Sequence, residues 1–282
     1  MSKQTIVLNS KNKIDSNVFE IDFDNNTLFG KNDKIGLEAI SVYNCFFNIK
    51  SSFSNNKFTI IWNADTTVEY NHVIENSYKS VSDYNFTLQH FMAQNDLYCI
   101  DSNGDIVYFI NIETEATIYG TSITCFALPN QANATALGYS KPVSAVWNFP
   151  VTDKTPQFKI VDNLSTLLGH AVATFPPNIQ STVQIHYSTT VPQLSINNSI
   201  ILTCSLLNQK FTKPSNVLSS IPLKSNFGSI LDFQNSNPSL FNISAGTYGS
   251  LRIEFYDQIF RKLDIIDPDV IIRLVIETNE VK

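Results

Sequence analysis

The sequence contains few glycines, few charged residues and no long apolar run. Only 9 of its 282 residues are Gly and 16% are charged, whereas 20 are Phe and 11 are Tyr. This composition is typical of an ordered, β-rich protein and excludes fibrous and coiled-coil classes. No segment approaches the roughly 18 uninterrupted apolar residues of a membrane span, and the start, MSKQTIVLN, contains too few apolar residues for a signal peptide. We therefore expect no membrane span and synthesis in a cytosol-like compartment.

Positive charge is also scarce. Lys and Arg total 19 against 25 Asp and Glu, which gives a formal net charge of −6. A surface that neutralises nucleic-acid phosphates needs clustered Lys and Arg. We therefore expect no direct binding of nucleic acid.

The four cysteines are too widely spaced for a zinc cluster. None belongs to a C-x-x-C pair, and each lies in an apolar, strand-like run, where a free thiol packs as a small hydrophobic group. We expect buried, reduced thiols at Cys45, Cys99, Cys125 and Cys204.

The histidines do not match a metal-dependent enzyme. A cupin-type centre needs an H-x-H pair with a Glu and a third His, and no such pair occurs among His72, His90, His170 and His186. His90 and His186 fall on polar faces of predicted elements, so surface positions are expected for both. The sequence also has no G-x-S-x-G elbow and no glycine-rich phosphate loop before a helix. We predict no catalytic residue, no cofactor-binding residue and no enzyme activity.

Two groups of carboxylates resemble cation sites. Segment 101–105, Asp-Ser-Asn-Gly-Asp, starts like a calcium loop, but its glycine stands fourth rather than sixth, so a hairpin turn is the stronger interpretation. Asp264, Asp267 and Asp269 could surround a cation at a subunit contact, although carboxylates in such a loop are usually solvated. We predict no metal-binding residue.

Apolar and polar residues alternate strictly near the C-terminal end. In LRIEFY (251–256) and VIIRLVIE (270–277), apolar residues occupy every second position, and the opposite positions carry charges such as Arg252 and Arg273. A period of two predicts strands with one buried face. A slip of one residue would bury the charges, so the register is well specified. A similar strand is predicted at 200–206.

Further elements are predicted from similar patterns in the first third of the chain. Strands are expected at 19–23, 35–47 and 57–62. One helix is expected after residue 80, where apolar residues repeat on one face and Ser80 and Asp83 fit a capping box. Residues 1–16 are expected to form an arm or a short first strand.

The middle of the chain has the weakest patterns. About residues 115–180 combine short strand-like pieces with a loop rich in Ala, Asn and Gly, and we expect an inserted, projecting region there. After it, Val183, Ile185 and Tyr187 are predicted to face a core, with Gln184 and His186 on the wet side. The whole pattern predicts an all-β protein, a single jelly-roll sandwich of about eight core strands with one short helix, as one domain over residues 1–282.

The last third of the chain also resembles a known family. The segments LRIEFYDQ, LDIIDPD and VIIRLVIE, with Phe-Gly-Ser at 227–229 and a Tyr at 248, are similar to the C-terminal half of the penton (minor capsid, vertex) proteins of virophages and Polinton-type viruses. The predicted helix lies where these proteins have a short helix. One departure is that Ile259 to Lys262 replace a turn in which the family has a glycine.

This resemblance implies a structural role in a virion. A protein of this family would form homopentamers that close the fivefold vertices of a small icosahedral capsid, where it would meet the major capsid protein. It would be made in the host cell cytoplasm or a virus factory. Residues 1–16 would be ordered only in the assembled shell, and their deletion would weaken incorporation into capsids while leaving the fold intact.

An alternative function is a jelly-roll carbohydrate-binding or host-attachment module. The aromatic-containing, Asn-rich region 115–180 motivates it, because it would project from the vertex. The two functions are compatible in one protein.

Overall fold

The computed structural model describes residues 2–278, which form two compact units. The first part of the chain forms β1 (Ser2–Asn9), β2 (Lys13–Asp15), β3 (Val18–Phe29) and β4 (Lys34–Tyr43). The middle part forms β5 (Lys57–Asn63), β6 (Thr67–Val73), α1 (Val81–Gln94), β7 (Cys99–Ile100), β8 (Ile106–Val107), β9 (Ile110–Glu115), β10 (Gly120–Cys125), α2 (Gln131–Ala136), β11 (Gln157–Ile160), α3 (Leu164–Leu168), β12 (Thr174–Phe175) and β13 (Gln184–Tyr187). The last part forms β14 (Ser199–Cys204), β15 (Val217–Pro222), β16 (Ile230–Gln234), β17 (Phe241–Asn242), β18 (Gly246–Tyr256) and β19 (Ile271–Thr278). Short 3₁₀ turns lie at Ser10–Asn12, Ser51–Phe53 and Ala116–Ile118.

The first unit is a jelly roll. It comprises Met1–Phe46 and Asn197–Lys282, and its two antiparallel sheets have the strand orders β1-β19-β4-β16, with β17 also on β4, and β15-β14-β18-β3-β2. Without the short strands β2 and β17, eight strands remain, which can be lettered B to I along the chain: β1, β3, β4, β14, β15, β16, β18 and β19. The two sheets then have the orders B-I-D-G and F-E-H-C, which define a jelly roll. The predicted all-β, jelly-roll class is therefore confirmed.

The core of this unit follows the alternation seen in the sequence. Leu251, Ile253 and Phe255 of β18 are fully buried, and Phe255 packs on Phe19 of β3 with ring centroids 5.4 Å apart. From the other sheet, apolar residues of β1, β4 and β19 enter the same core. Burying one face of each sheet against the other stabilises the sandwich, at roughly 25 cal/mol for each Å² of apolar surface removed from water.

The N-terminal segment is the first strand of the sandwich. All eight residues of β1 pair with β19, and Leu8 is fully buried between the sheets. The expectation that deleting residues 1–16 leaves the fold intact is therefore corrected, because the deletion would remove a strand and part of the core.

The turn between β18 and β19 shows how the chain replaces the expected glycine. Phe260 takes the left-handed backbone conformation, with φ +60°. The buried Asp257 carboxylate accepts hydrogen bonds from the backbone N–H groups of Ile259 and Arg261, both at 2.9 Å, and from Arg261 Nε at 2.6 Å. These bonds offset the cost of placing a non-glycine residue in this conformation.

The second unit comprises Phe47–Ile196, between β4 and β14. It contains a four-stranded sheet, β12-β11-β5-β6, a three-stranded sheet, β13-β10-β9, and the pair β7-β8. The chain thus folds as two compact units, where one domain over residues 1–282 was expected, and the expected inserted region 115–180 falls inside the second. The sequence did not reveal the boundary between the two units, because the alternation of apolar and polar residues in β5 resembles that in the jelly-roll strands.

The helices of this unit match the predictions in part. α1 begins with the predicted capping box, in which Ser80 accepts from the Asp83 N–H and Asp83 accepts from the Ser80 N–H. α3 is a short helix that ends at Gly169, which takes the left-handed conformation. α2 was not predicted; it lies in the Asn-rich loop, where the Asn130 side chain caps its first turn.

In the second unit the predicted hairpin at 101–105 is confirmed, whereas the predicted orientation of the strand at 184–187 is wrong. The hairpin at 101–105 is present, with Asp101 Oδ1 accepting from two backbone N–H groups of the turn. The predicted orientation of β13 is wrong, since Val183, Ile185 and Tyr187 are exposed. His186 faces inward, with its ring 5.3 Å from that of Phe175.

Candidate functional site

The outer face of the first jelly-roll sheet carries exposed apolar side chains on four adjacent strands. β1, β19, β4 and β16 each contribute one, namely Val7, Ile271, Tyr43 and Ile230, which are 47%, 44%, 39% and 51% exposed. Their sequence neighbours on these strands, such as Leu8 and Ile272, point into the core. We call these four residues the apolar band.

Strand register brings the four residues near one another on a face that also carries Arg273, directly opposite Val7, and Ser41, directly opposite Ile271. Tyr43 lies directly opposite Ile230. Ile271 is the diagonal neighbour of Tyr43, and Val7 is the diagonal neighbour of Ile271. Diagonal neighbours in a sheet lie roughly 7–8 Å apart, within reach of large side chains. Exposed apolar side chains gain free energy when a partner covers them, so the band is a candidate interaction surface.

The outer face of the second sheet is polar instead. Glu20 of β3 accepts hydrogen bonds from Ser250 Oγ at 2.6 Å and from Arg252 Nη2 at 3.0 Å on β18. The bond from Ser250, followed by the bond and charge of Arg252, outweighs burial and lowers the pKa of Glu20. With Thr203 and Glu254, these residues line a shallow cleft of about 210 Å³. Since Glu20 and Arg252 already pair, this face gains less from a partner than the apolar band does.

Two histidines of the second unit lie near the same aromatic ring. The rings of His170 and His186 are both 5.3 Å from that of Phe175. Thr121 Oγ1 donates to the Leu168 carbonyl at 2.6 Å, so it accepts from His170 Nε2 at 3.0 Å. Burial first, and then the neighbouring His186, lower the pKa of His170 to about 4. His170 is therefore neutral in the folded protein at neutral pH.

The other two histidines differ in exposure. His90 is exposed, which confirms its predicted surface position, and its ring stacks on that of Phe86. His72 packs on Phe91 with ring centroids 4.4 Å apart, and burial is the largest cause of its lowered pKa. The surface prediction for His186 is corrected, because β13 turns that side of the strand inward.

One of the three carboxylates near the C-terminal end accepts hydrogen bonds from the backbone. Asp267 is buried and accepts from the Tyr43 N–H at 2.7 Å and from the Asp269 N–H at 2.8 Å. Asp264 and Asp269 are exposed. Among residues 2–278, no group of three or more His, Cys, Asp or Glu side chains is placed to hold a metal ion.

Three of the four cysteines are buried as predicted. Cys99, Cys125 and Cys204 are fully covered, and burial raises the pKa of each thiol to about 12. Cys45 is partly exposed, and burial is also the largest cause of its raised pKa. All four are free thiols.

The described residues contain no helix that is both long enough and apolar enough to cross a membrane. The residues of the apolar band were not identified from the sequence, because each lies in a different strand and the order of strands in a sheet is not visible there. Ile271 alone had a sequence signal, because Val270 and Ile272 on either side of it belong to the apolar row that was predicted to be buried.

Comparison with known proteins gives a structural similarity but no sequence match. No protein-family model matches the sequence, and no curated protein matches it. Among solved structures, the chain is similar to the selenomethionine-labelled mavirus penton protein, with a TM-score of 0.45 and 13% identity. The alignment covers 99% of this chain and 100% of that chain. Similarity at this level does not define a function.

Proposed function

We propose that this chain is a structural protein of a small icosahedral capsid, in which five copies form a closed ring at each fivefold vertex. The observation that carries the proposal is the apolar band on the outer face of a jelly-roll sheet. The resemblance of segments 251–258, 263–269 and 270–277 to penton proteins supports it. The proposed location is the virion, and the proposed role is geometric, without catalysis.

The band suits a contact between copies because its side chains are apolar and lie on strands rather than loops. Val7, Tyr43, Ile230 and Ile271 are held by backbone ladders on four strands, so little conformational entropy would be lost when a neighbour covers them. Four side chains are too few for a whole interface, which buries roughly 1,200–2,000 Å² in total. The band would therefore be the apolar centre of a larger contact with a polar rim.

Ring closure needs a second surface on the same chain. In a head-to-tail ring each copy offers one patch to the next copy and a different patch to the previous one, and the rotation between them closes the ring. The band would supply one of the two patches. The major capsid protein is the proposed second partner, at the outer base of the ring.

The mass of the purified protein, measured by light scattering with negative-stain imaging, tests the ring. We expect a species of five times 31.7 kDa that appears as five-fold rings. Ile230→Lys and Ile271→Lys place a charge in the band and should give monomers with unchanged circular dichroism. Leu28→Lys is the matched control, because Leu28 is exposed on β3, in the other sheet.

Two results would contradict the proposal. Rings that persist in both band variants would remove the band as the contact. A wild-type monomer that also fails to assemble when it is co-expressed with the major capsid protein would remove the vertex role.

A further inference from the structure

The second unit contains a cleft whose size suits a small ligand. Its volume is about 550 Å³, within the roughly 300–1,000 Å³ typical of ligand sites. Gln89 of α1 and Asn111 of β9 lie on one wall. Residues around β8 and next to α2 form the others, including Tyr108, Phe126 and Tyr139. None of the lining residues is charged.

A pair of amide side chains is fixed in this cleft. Gln89 Nε2 donates to Asn111 Oδ1 at 3.0 Å. One turn earlier on α1, Asn85 Oδ1 accepts from the Ile112 N–H at 2.8 Å, which ties the helix to the edge of β9. Because Asn85 and Gln89 are four residues apart, both side chains face the same strand. The amide pair is thus held between two elements of regular structure.

The pairing leaves one acceptor and one donor next to each other. Among the described residues, no hydrogen bond uses Gln89 Oε1 or Asn111 Nδ2. If both amides were reversed, Asn111 would donate to Gln89, and one donor and one acceptor would still remain. The pair therefore presents complementary groups to a ligand in either orientation.

The remaining walls are aromatic and apolar. Phe126 and Leu137 are exposed, while Tyr108 and Tyr139 are half-buried. The backbone of two of these residues is hydrogen-bonded, since the Phe126 N–H donates to the Phe109 carbonyl at 2.9 Å and the Tyr139 N–H to the Ala134 carbonyl at 2.8 Å. Aromatic side chains on a hydrogen-bonded backbone therefore line the cleft.

We propose that this cleft binds a neutral sugar residue of a glycan. A pyranose ring offers an apolar C–H face to an aromatic side chain and adjacent hydroxyls that both donate and accept, which match the Gln89–Asn111 pair. An anionic ligand would find no charged partner in the walls. A purely apolar ligand would cover Gln89 Oε1 and Asn111 Nδ2 without bonding them, which is unfavourable. This binding would be a second function, independent of ring formation.

Saturation-transfer NMR on the full chain tests the proposal. The probes are the methyl glycosides of glucose, galactose, mannose and N-acetylglucosamine, with sialyllactose as the charged comparison and an octyl detergent as the apolar one. We expect at least one neutral glycoside to bind. Gln89→Met removes the amide at nearly constant size and Phe126→Ala removes an aromatic face, and each should weaken that binding about tenfold.

The control variant is Phe86→Ala, on the same helix but outside the cleft, which should bind as the wild type does. Circular dichroism and thermal unfolding would show that each variant is folded. Binding that is unchanged in both Gln89→Met and Phe126→Ala would overturn the proposal, and so would binding of sialyllactose or the detergent without any neutral glycoside. None of these results would bear on the pentamer, which light scattering tests separately.

Discussion

The two units satisfy their backbone polar groups in different ways. In the jelly roll, most backbone N–H and C=O groups pair between long strands. β3 spans 12 residues and β18 spans 11, and the two are paired along most of their length. In the second unit the longest strands have 7 residues, and loops connect them. Buried backbone groups need partners in both cases, so the loops of the second unit require side chains to supply them.

Buried asparagines supply those partners. Asn48 accepts from the Lys79 N–H at 2.9 Å and donates to the carbonyls of Lys79 and Leu194 at 2.9 and 3.0 Å. Asn55 and Asn63 likewise donate to backbone carbonyls from buried positions. Stability in the second unit therefore depends more on individual polar side chains, and stability in the jelly roll more on strand pairing and apolar burial.

The largest expected effects come from truncating an aromatic residue in each core. Phe255→Ala in the jelly roll and Phe158→Ala in the second unit each remove a fully buried ring, which should cost about 3–5 kcal/mol. If the units unfold separately, each variant should lower only one of two transitions in urea. One shared transition, moved equally by both variants, would show that the two cores act as a single cooperative unit.

Removing one buried amide should have the next largest effect. Asn48→Ala leaves one N–H and two carbonyls of the second unit without their partner, and we expect a loss of about 2–3 kcal/mol in its free energy of unfolding. Asn103→Ala, at an exposed hairpin position in the same unit, should change stability by less than about 0.5 kcal/mol. Equal losses in the two variants, measured by urea unfolding, would contradict a special role for buried amides.

A smaller, pH-dependent effect is expected from His170. Its folded pKa of about 4 lies below the unfolded value of about 6.5. The stability that it contributes is therefore complete above about pH 6.5 and is lost as the pH falls towards 4, because the unfolded chain takes up the proton first. Between pH 7.5 and 5 the loss should be on the order of 1–2 kcal/mol.

His170→Gln isolates this contribution. His72, whose pKa is also lowered, remains in both proteins, so its effect cancels in the difference. The free energy of unfolding of the variant should fall less steeply between pH 7.5 and 5 than that of the wild type. Parallel curves would show that His170 does not titrate differently in the folded and unfolded chains.

The sequence predicts elements more reliably than it predicts which side of an element is buried. The buried face of β18 was predicted correctly because the charged residues Arg252 and Glu254 identify its solvent-facing side. In β13 the alternation is equally regular, but the apolar side faces outward and His186 packs inward on Phe175. A period of two shows that a strand has two faces, and only its neighbours decide which one becomes core.

The candidate sites were less predictable than the fold. Gln89 and Asn111 are 22 residues apart in a chain rich in amides, so nothing local marks them as a pair. Asn85 and Gln89, spaced four residues apart on the polar flank of the predicted helix, are the one available signal. The apolar band depends on the order of four strands, of which β1 and β16 lie far apart in the sequence.

Thiol labelling of the buried cysteines gives the smallest signal expected from the difference between the units. It reports when each unit opens. Cys204 lies in the jelly roll, and Cys99 and Cys125 lie in the second unit, all buried. In a Cys45→Ser background, a thiol reagent should label none of them without denaturant, since burial raises their pKa values and blocks access. In graded urea, Asn48→Ala should expose Cys99 and Cys125 at lower concentration while Cys204 is labelled as before. Labelling of Cys204 in step with the other two would show that the jelly roll opens whenever the second unit does.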